Sequence, residues 1–329
     1  MMKDNFYKLK QASKEYVLNN KYELTEDLLE YIKERVRENE KEIKEVIDIQ
    51  KENITYEDIV NVIDNEINED NDYKKYAKLK ISNEKFLSTF IAMPIGVIAV
   101  EAYETKEVIK YYIKAIKSRN AIAISDVEYG ENNVKTLILI IIKEALKKIN
   151  IKEDLIMLLP YEECFYEYFD KVIYTYDKEG KKLETPKVEE KERTNELYVY
   201  IEDSSLEEEA RKNQNAKILK GNVDEVIEKI NEKKTKGAVI YTKNANMAYK
   251  FINLVKSQNV FVNTNLENIE KPTRKDGLLY EYENIIIPIP QEVKKEIINE
   301  IKNKETSLIV KEKKGILEKI KHFLEKIFN

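Results

Sequence analysis

The sequence predicts an α/β chain: two open lobes, each on a mostly parallel sheet, with a helical layer ahead of them and an amphipathic helix behind. Three observations carry this expectation. Short apolar runs alternate with helical segments through the middle of the chain, the pattern of parallel strands buried under crossover helices. The 329 residues exceed what one small core organises, so two lobes are expected. Hydrophobic residues make up 42% and charged residues 36%, a mix that folds rather than remaining disordered.

The helical layer comes from residues 9–64. Leu28, Leu29, Ile32, Val36, Ile43, Val46 and Ile47 recur at helical spacing, and neither Gly nor Pro interrupts them. Residues 65–73 read as an acidic loop. The texture changes at Pro94. Residues 94–100 are apolar and β-prone, 108–117 helical, 120–124 a strand, 134–149 a helix, and 155–159 and 171–176 strands. Crossovers between parallel strands are right-handed, so this half is read as an open doubly wound lobe. Residues 177–195 are charged, with Gly180 and Pro186, and read as a loop or ribbon. A second βαβ unit follows, with strands at 196–201, 238–242 and 260–263 and helices at 223–232 and 245–256. Residues 278–287 read as a strand and 291–302 as a helix. A polar spacer then leads to a helix over 316–328. The expected division is 1–195, 196–302 and 303–329.

Composition narrows the function classes. Lys+Arg is 57 against Asp+Glu 62, a net charge of −5, and no basic stripe is visible, so nucleic acid is not an expected partner. One cysteine, Cys164, and one histidine, His322, exclude an intrachain disulfide and a multi-histidine or multi-cysteine metal centre. The N-terminal residues lack an apolar signal core, and the longest apolar run, 137–142, is too short to span a bilayer. A cytoplasmic protein is expected.

Three short segments in order carry a family resemblance: Pro94-Ile95-Gly96-Val97-Ile98, Lys117-Ser118-Arg119-Asn120-Ala121-Ile122 and Lys143-Glu144-Ala145-Leu146. Farther on come Leu197-Tyr198-Val199-Tyr200-Ile201-Glu202-Asp203, Asn231, Gly237-Ala238-Val239-Ile240-Tyr241-Thr242, Val260-Phe261-Val262-Asn263-Thr264 and Gly277-Leu278. Their order and spacing resemble glutamate-5-semialdehyde dehydrogenase (gamma-glutamyl phosphate reductase), a branch of the aldehyde dehydrogenase superfamily. The likeness runs from about residue 28 to 287 with gaps. It implies an aldehyde-dehydrogenase-like fold with two Rossmann-type lobes, and NADP or NAD as the cofactor of an active member.

The departures decide the functional expectation. The family's nucleophilic cysteine follows an Asn-Ala-Lys segment. Here Asn215-Ala216-Lys217 is followed by Ile218-Leu219-Lys220-Gly221 and no cysteine. Cys164 lies well upstream in the cofactor half, beside Glu162 and Glu163, whose charges disfavour a thiolate. It is read as a structural thiol. The family's Arg-Gly-Gly would fall near Ser125-Asp126, and its second glycine-rich turn near 175–181, where Gly180 alone remains. The chain has seven glycines and no Gly-Gly pair, whereas close approach to a pyrophosphate usually needs such glycines. No Asn between Pro94 and Arg119 supplies the family's oxyanion donor.

No catalytic residue or metal ligand is therefore assigned. Lys117, Asn120 and Ser125 are the candidates for touching a nucleotide; the competing reading of Asn120 is a side chain that fixes a backbone turn. Asp126, Glu128 and Glu131 read as a solvated acidic loop, with an oxygen-ligated cation as the alternative. Tyr103-Glu104 reads as capping or packing. In the last helix Ile316, Leu317, Ile320, Phe323, Leu324, Ile327 and Phe328 share one face and Lys319, Lys321 and Lys326 the other. Three readings stay open for it: docking on its own domain or in a homodimer, docking on a partner protein or shell, and a membrane-surface anchor. The functional expectation is a non-catalytic scaffold that binds a partner or ligand. An NAD(P)-dependent oxidoreductase and a peripheral membrane or assembly protein are the alternatives.

Overall fold

The computed structural model describes residues 2–19, 22–51, 53–69, 80–82, 86–126, 133–160, 168–177, 179–266, 277–291 and 316–328. In chain order these form helices α1 (Met2–Asn19), α2 (Tyr22–Glu38), α3 (Glu40–Gln50) and α4 (Tyr56–Asn68), then strands β1 (Lys80–Ser82), β2 (Phe86–Pro94) and β3 (Val97–Glu101). Next come α5 (Thr105–Ser118), β4 (Ala121–Asp126), α6 (Val134–Lys148), β5 (Ile156–Pro160), β6 (Lys171–Tyr176), β7 (Lys182–Glu190) and β8 (Leu197–Ile201). A short α7 (Glu207–Ala210), β9 (Lys217–Leu219), α8 (Val223–Asn231), β10 (Gly237–Tyr241), α9 (Ala245–Leu254), β11 (Asn259–Val262), β12 (Tyr280–Pro288) and α10 (Ile316–Phe328) complete the chain. The helix expected over 291–302 and the spacer after it lie, from residue 292 on, outside the described residues. Residues 70–73 of the loop expected over 65–73 do too, while residues 65–68 belong to α4.

The chain divides into two compact units. The first is Met1–Asn71 with Pro94–Glu190, and the second is Asp72–Met93 with Lys191–Asn329. The first unit holds a five-stranded sheet in the order β5-β4-β3-β6-β7. Its first four strands are parallel and β7 is antiparallel to β6. The strands are short and apolar because both faces are covered: all of Val97–Val100 and Ala121–Ile124 is buried. Helix α1 packs directly on β3 and β4. Helices α5 and α6 lie on β4 and β5, and carry α2–α4 as an outer layer. The predicted stripe makes that contact, with Leu28, Leu29, Ile32, Val36, Ile43 and Ile47 buried. Helix α4 starts on a capping box, Thr55 with Asp58, which satisfies two orphan amide groups at once.

The second unit holds a seven-stranded sheet in the order β1-β2-β12-β11-β10-β8-β9, parallel from β9 through to β12. Strand β2 lies beside β12, which moves residues 72–93 out of the contiguous 1–195 division expected from the sequence. A ladder of buried amides ties these strands at one edge. Asn259 Nδ2 donates to the Lys236 carbonyl at 3.0 Å, Asn284 Nδ2 to Asn259 Oδ1 at 3.1 Å, and Ser88 Oγ to Asn284 Oδ1 at 3.2 Å. At the same edge Glu281 accepts from Lys234 Nζ and, at 2.8 Å, from Arg193 Nη2; Glu281 and Lys234 are both buried.

Candidate functional site

An open parallel sheet binds its ligands beyond the carboxyl ends of its strands, at the point where strand order reverses. In the first unit that point lies between β3 and β6, and the strands end on Glu101, Asp126, Pro160 and Tyr176. The helices that follow β3 and β4 start at this edge, where their N-termini favour an anion.

The chain fills both positions with its own carboxylates. At the start of α5, Glu104 is the N-cap residue and Glu107 lies in the first turn. Lys182 of β7 donates to Glu104 Oε2 at 2.5 Å and holds that carboxyl below its ordinary range. Burial pushes Glu107 upward. Between the strands, Thr175 Oγ1 lies 2.7 Å from the Glu101 carbonyl and 3.0 Å from Glu107 Oε2. The Glu101 carboxylate, itself buried, accepts from Tyr103 OH. The Tyr103 ring stacks on Tyr176 at 4.5 Å between centroids, so aromatic surface covers the ends of β3 and β6.

Thr175 Oγ1 has one proton for these two acceptors; its bond to Glu107 lowers that carboxyl, but burial is the larger cause and raises it. Between the ordinary carboxyl value and the elevated folded one, the native state holds a proton that the unfolded chain has lost. Stability therefore falls as pH rises through that window. In Glu107→Gln the amide donates at every pH. The variant is expected to melt higher at neutral pH and to lose this part of the decline, as thermal melts from acid to neutral pH would record.

At the start of α6, Asp126 occupies the place of the anion. It is fully buried, and both its oxygens accept from Lys135 Nζ, at 3.1 and 3.0 Å. Lys135 is the second residue of α6 and 3% exposed. Asn133 caps the same helix, its Oδ1 accepting from Thr136 N at 2.8 Å. The solvated reading of Asp126 is thus corrected: it is the buried half of an ion pair. Glu128 and Glu131, and likewise Cys164, lie outside the described residues. Ser125, next to Asp126, is fully buried with no hydrogen-bond partner for its Oγ. The Tyr112 hydroxyl is also buried without a partner, and burial followed by the Asp126 charge raises it well above the ordinary phenol range.

Of the three sequence candidates, only Ser125 reaches this edge. Lys117 and Asn120 precede β4 and stand at the opposite end of the sheet. Lys117 Nζ donates to the Glu66 carbonyl and, at 2.5 Å, to the Glu69 carbonyl, closing the end of α4. Asn120 is fully buried. Its Oδ1 accepts from Gly96 N at 2.8 Å, and its Nδ2 donates to Ser118 Oγ at 2.8 Å and to the Ser118 carbonyl at 3.3 Å. These two are therefore positioned as turn and cap residues, because short polar side chains at a helix-to-strand corner satisfy local backbone first.

Sequence reasoning missed two residues here. Arg119 stands where the family segment has glycine, at φ +60° in the left-handed region. Its guanidinium is buried and donates to the Val17 carbonyl at 2.7 Å and the Tyr16 carbonyl at 3.4 Å, anchoring the end of α1. The exchange of Gly for Arg at a position that favours glycine was the available signal. Lys135 was the second, since a cation in the first turn of a helix opposes the helix dipole unless an acid answers it.

Among the described residues the second unit offers no substitute. The Asn215-Ala216-Lys217 segment turns at Asn215, φ +67°, straight into edge strand β9, where the family's nucleophile would follow. The carboxyl ends of β8, β10 and β11 are tied together. Thr242 Oγ1 donates to Glu202 Oε2 at 2.6 Å, Thr242 N to Asn263 Oδ1 at 2.8 Å, and Tyr241 OH to the Thr264 carbonyl at 3.1 Å. Among the described residues, no three His, Cys, Asp or Glu side chains converge to hold a metal ion. Helix α10 packs on α9 of the same unit, with Ile320, Phe323 and Leu324 buried and Ile327 and Phe328 half-buried. Among the described residues no helix is long and apolar enough to cross a membrane.

No protein-family model and no curated protein matches the chain. Solved structures do. The gamma-glutamyl phosphate reductase of Thermotoga maritima aligns at 15% identity over 87% of this chain and 98% of its own, with a TM-score of 0.48. The gamma-glutamyl phosphate reductase of Saccharomyces cerevisiae aligns at 14% identity over 88% and 98%, TM-score 0.49. The glyceraldehyde-3-phosphate dehydrogenase of Methanocaldococcus jannaschii, complexed with NADP, aligns at 12% identity over 88% and 94%, TM-score 0.45. These likenesses concern fold. Function is argued from the residues at the strand ends.

Proposed function

We propose that this chain is a non-catalytic protein on an aldehyde-dehydrogenase-like scaffold, acting by binding another molecule rather than by oxidising or reducing an aldehyde. The observation that carries this reading is the Asp126–Lys135 pair, together with Glu104 and Glu107, at the two helix starts where a dinucleotide's phosphates would sit. The Lys135 ammonium at the start of α6 is already taken by Asp126, and the start of α5 is occupied by Glu104 and Glu107, so neither helix start is left open to a phosphate. The chain has no Gly-Gly pair; the turn into α5 carries no glycine and the turn into α6 carries Gly130 alone. The missing thiol points the same way, because aldehyde oxidation of this type starts with thiolate attack on the carbonyl.

The test is turnover. Purified protein incubated with NADP⁺ or NAD⁺ and glutamate-5-semialdehyde is expected to produce no reduced nucleotide above a protein-free control. Steady production that scales with protein concentration and survives repurification would return the chain to the oxidoreductases.

A further inference from the structure

We propose that the seam between α3 and α6, on the outside of the first unit, docks a cationic amphipathic helix of a partner protein. An apolar strip is the first ground. Among the described residues the two most exposed aliphatic side chains are Ile49 of α3, 71%, and Ile140 of α6, 48%. They belong to helices that pack on one another. The Lys148 ammonium lies 4.0 Å from the Tyr31 ring centroid and Arg35 Nη2 lies 3.4 Å from Glu144 Oε2, so α2 runs antiparallel to α6. Helical hydrogen bonding continues from α2 into α3: Asn39 N donates to the Arg35 carbonyl, and the Asn39 carbonyl accepts from Ile43 N. The same register therefore carries into α3. It sets Ile140 level with Asn39 and Leu137 level with Glu42, and Val46 and Ile49 continue the line. Leu137 and Val46 are half-buried. With the rise of an α-helix the strip is about 15 Å long. Single exposed aliphatics are ordinary, whereas a line of four along a seam between two helices is a track for the apolar face of a third.

Charge selects the occupant. Glu42, Glu45 and Asp48 are exposed along α3, and none of them has an ion-pair partner among the described residues. On α6, Glu144 and Lys148 are engaged by Arg35 and by the Tyr31 ring. Lys143, three residues beyond Ile140, lies a further step round α6, away from α3. A second copy of the chain, seated on the same patch about a two-fold axis, would set these carboxylates against their own equivalents. An anionic lipid surface would set them against phosphate. Both juxtapositions repel. A helix whose apolar face is flanked by lysine or arginine meets the strip and the carboxylates together. The proposal does not rest on the non-catalytic reading, since turnover of an aldehyde would leave the strip as it is.

The experiment is fluorescence anisotropy of a labelled leucine–lysine peptide, patterned as an amphipathic helix, titrated with the full chain over a salt series. The account expects saturable binding that weakens as salt rises. In Ile49→Ser/Ile140→Ser, affinity is expected to fall about 10-fold or more, because two aliphatic side chains no longer leave water on binding. In Glu42→Gln/Glu45→Gln/Asp48→Asn, the salt dependence is expected to be largely lost. All five positions are exposed, so both variants keep the fold. Absence of binding, equal binding of a scrambled peptide of the same composition, or binding unchanged in Ile49→Ser/Ile140→Ser would each overturn the proposal. So would sedimentation equilibrium showing a dimer of the free chain that this variant abolishes; a second copy would then be the occupant.

Discussion

Asp126→Ala is expected to destabilise the first unit by about 3–5 kcal/mol, because it leaves the Lys135 ammonium buried without its counter-charge. Hydrogen exchange would register the loss as faster exchange across β4 and the first turns of α6. Lys135→Ala is expected to be comparably costly, since it strands Asp126. The double variant Asp126→Leu/Lys135→Met separates the ion pair from the packing around it. A buried pair replaced by apolar groups of similar size is often neutral or even stabilising. The double variant is thus expected to recover most of what either single change to Ala loses. If Asp126→Ala cost less than about 1 kcal/mol, as an exposed pair would, the edge of this sheet would be wet rather than closed.

Glu281→Ala is expected to have an effect of the same order, about 3–5 kcal/mol, in the second unit. Glu281 is the shared acceptor for Lys234, which is buried, and Arg193, which is partly exposed. Its removal leaves Lys234 in a dry site and loosens the segment leading into β8, where Thr194 N donates to the Lys234 carbonyl at 2.7 Å. The two variants strike different units, so their exchange footprints should not overlap: β4 and α6 for Asp126, the starts of β8 and β10 and the neighbouring part of β12 for Glu281. Chemical denaturation followed by a single signal would blur them, because a chain of two compact units need not unfold in one step.

Much of this architecture could be read in the sequence where a segment's own pattern settles its structure. Strand 171–176 and helix 316–328 lie where periodicity puts them, and most of the other parallel strands fall within one or two residues of the runs that predict them; β3 starts three residues later than expected, and the short β9 was not foreseen. Strand β2 was not legible. Phe86–Pro94 becomes a strand of the second unit through β12, nearly two hundred residues later, and a local pattern carries no information about so distant a partner. The second compact unit takes in residues 72–93 for that reason, where the sequence alone suggests a contiguous stretch up to 195. Strand β7 was read only as a loop or ribbon because its residues are charged and largely exposed, as edge strands commonly are.

The site was legible in what it lacks and less so in what replaces it. That no cysteine follows Asn215-Ala216-Lys217 and that no Gly-Gly pair occurs can be read from the sequence. That Asp126 pairs with Lys135 and that Glu107 meets Thr175 depends on which side chains the fold brings together at the strand ends. Lys117 and Asn120 show the converse. They sit in the segment that most resembles the family, yet the structure sets them at the other end of the sheet as turn and cap residues.

The most direct test of the central claim is calorimetric titration of the purified protein with NADP⁺ and NADPH, with NAD⁺ for comparison. The account predicts no heat of binding at millimolar ligand, with the carboxylates at the starts of α5 and α6 standing in for the phosphates. Binding at micromolar strength would contradict it, because the strand ends would then have to open and accept a pyrophosphate beside Asp126 and Glu107.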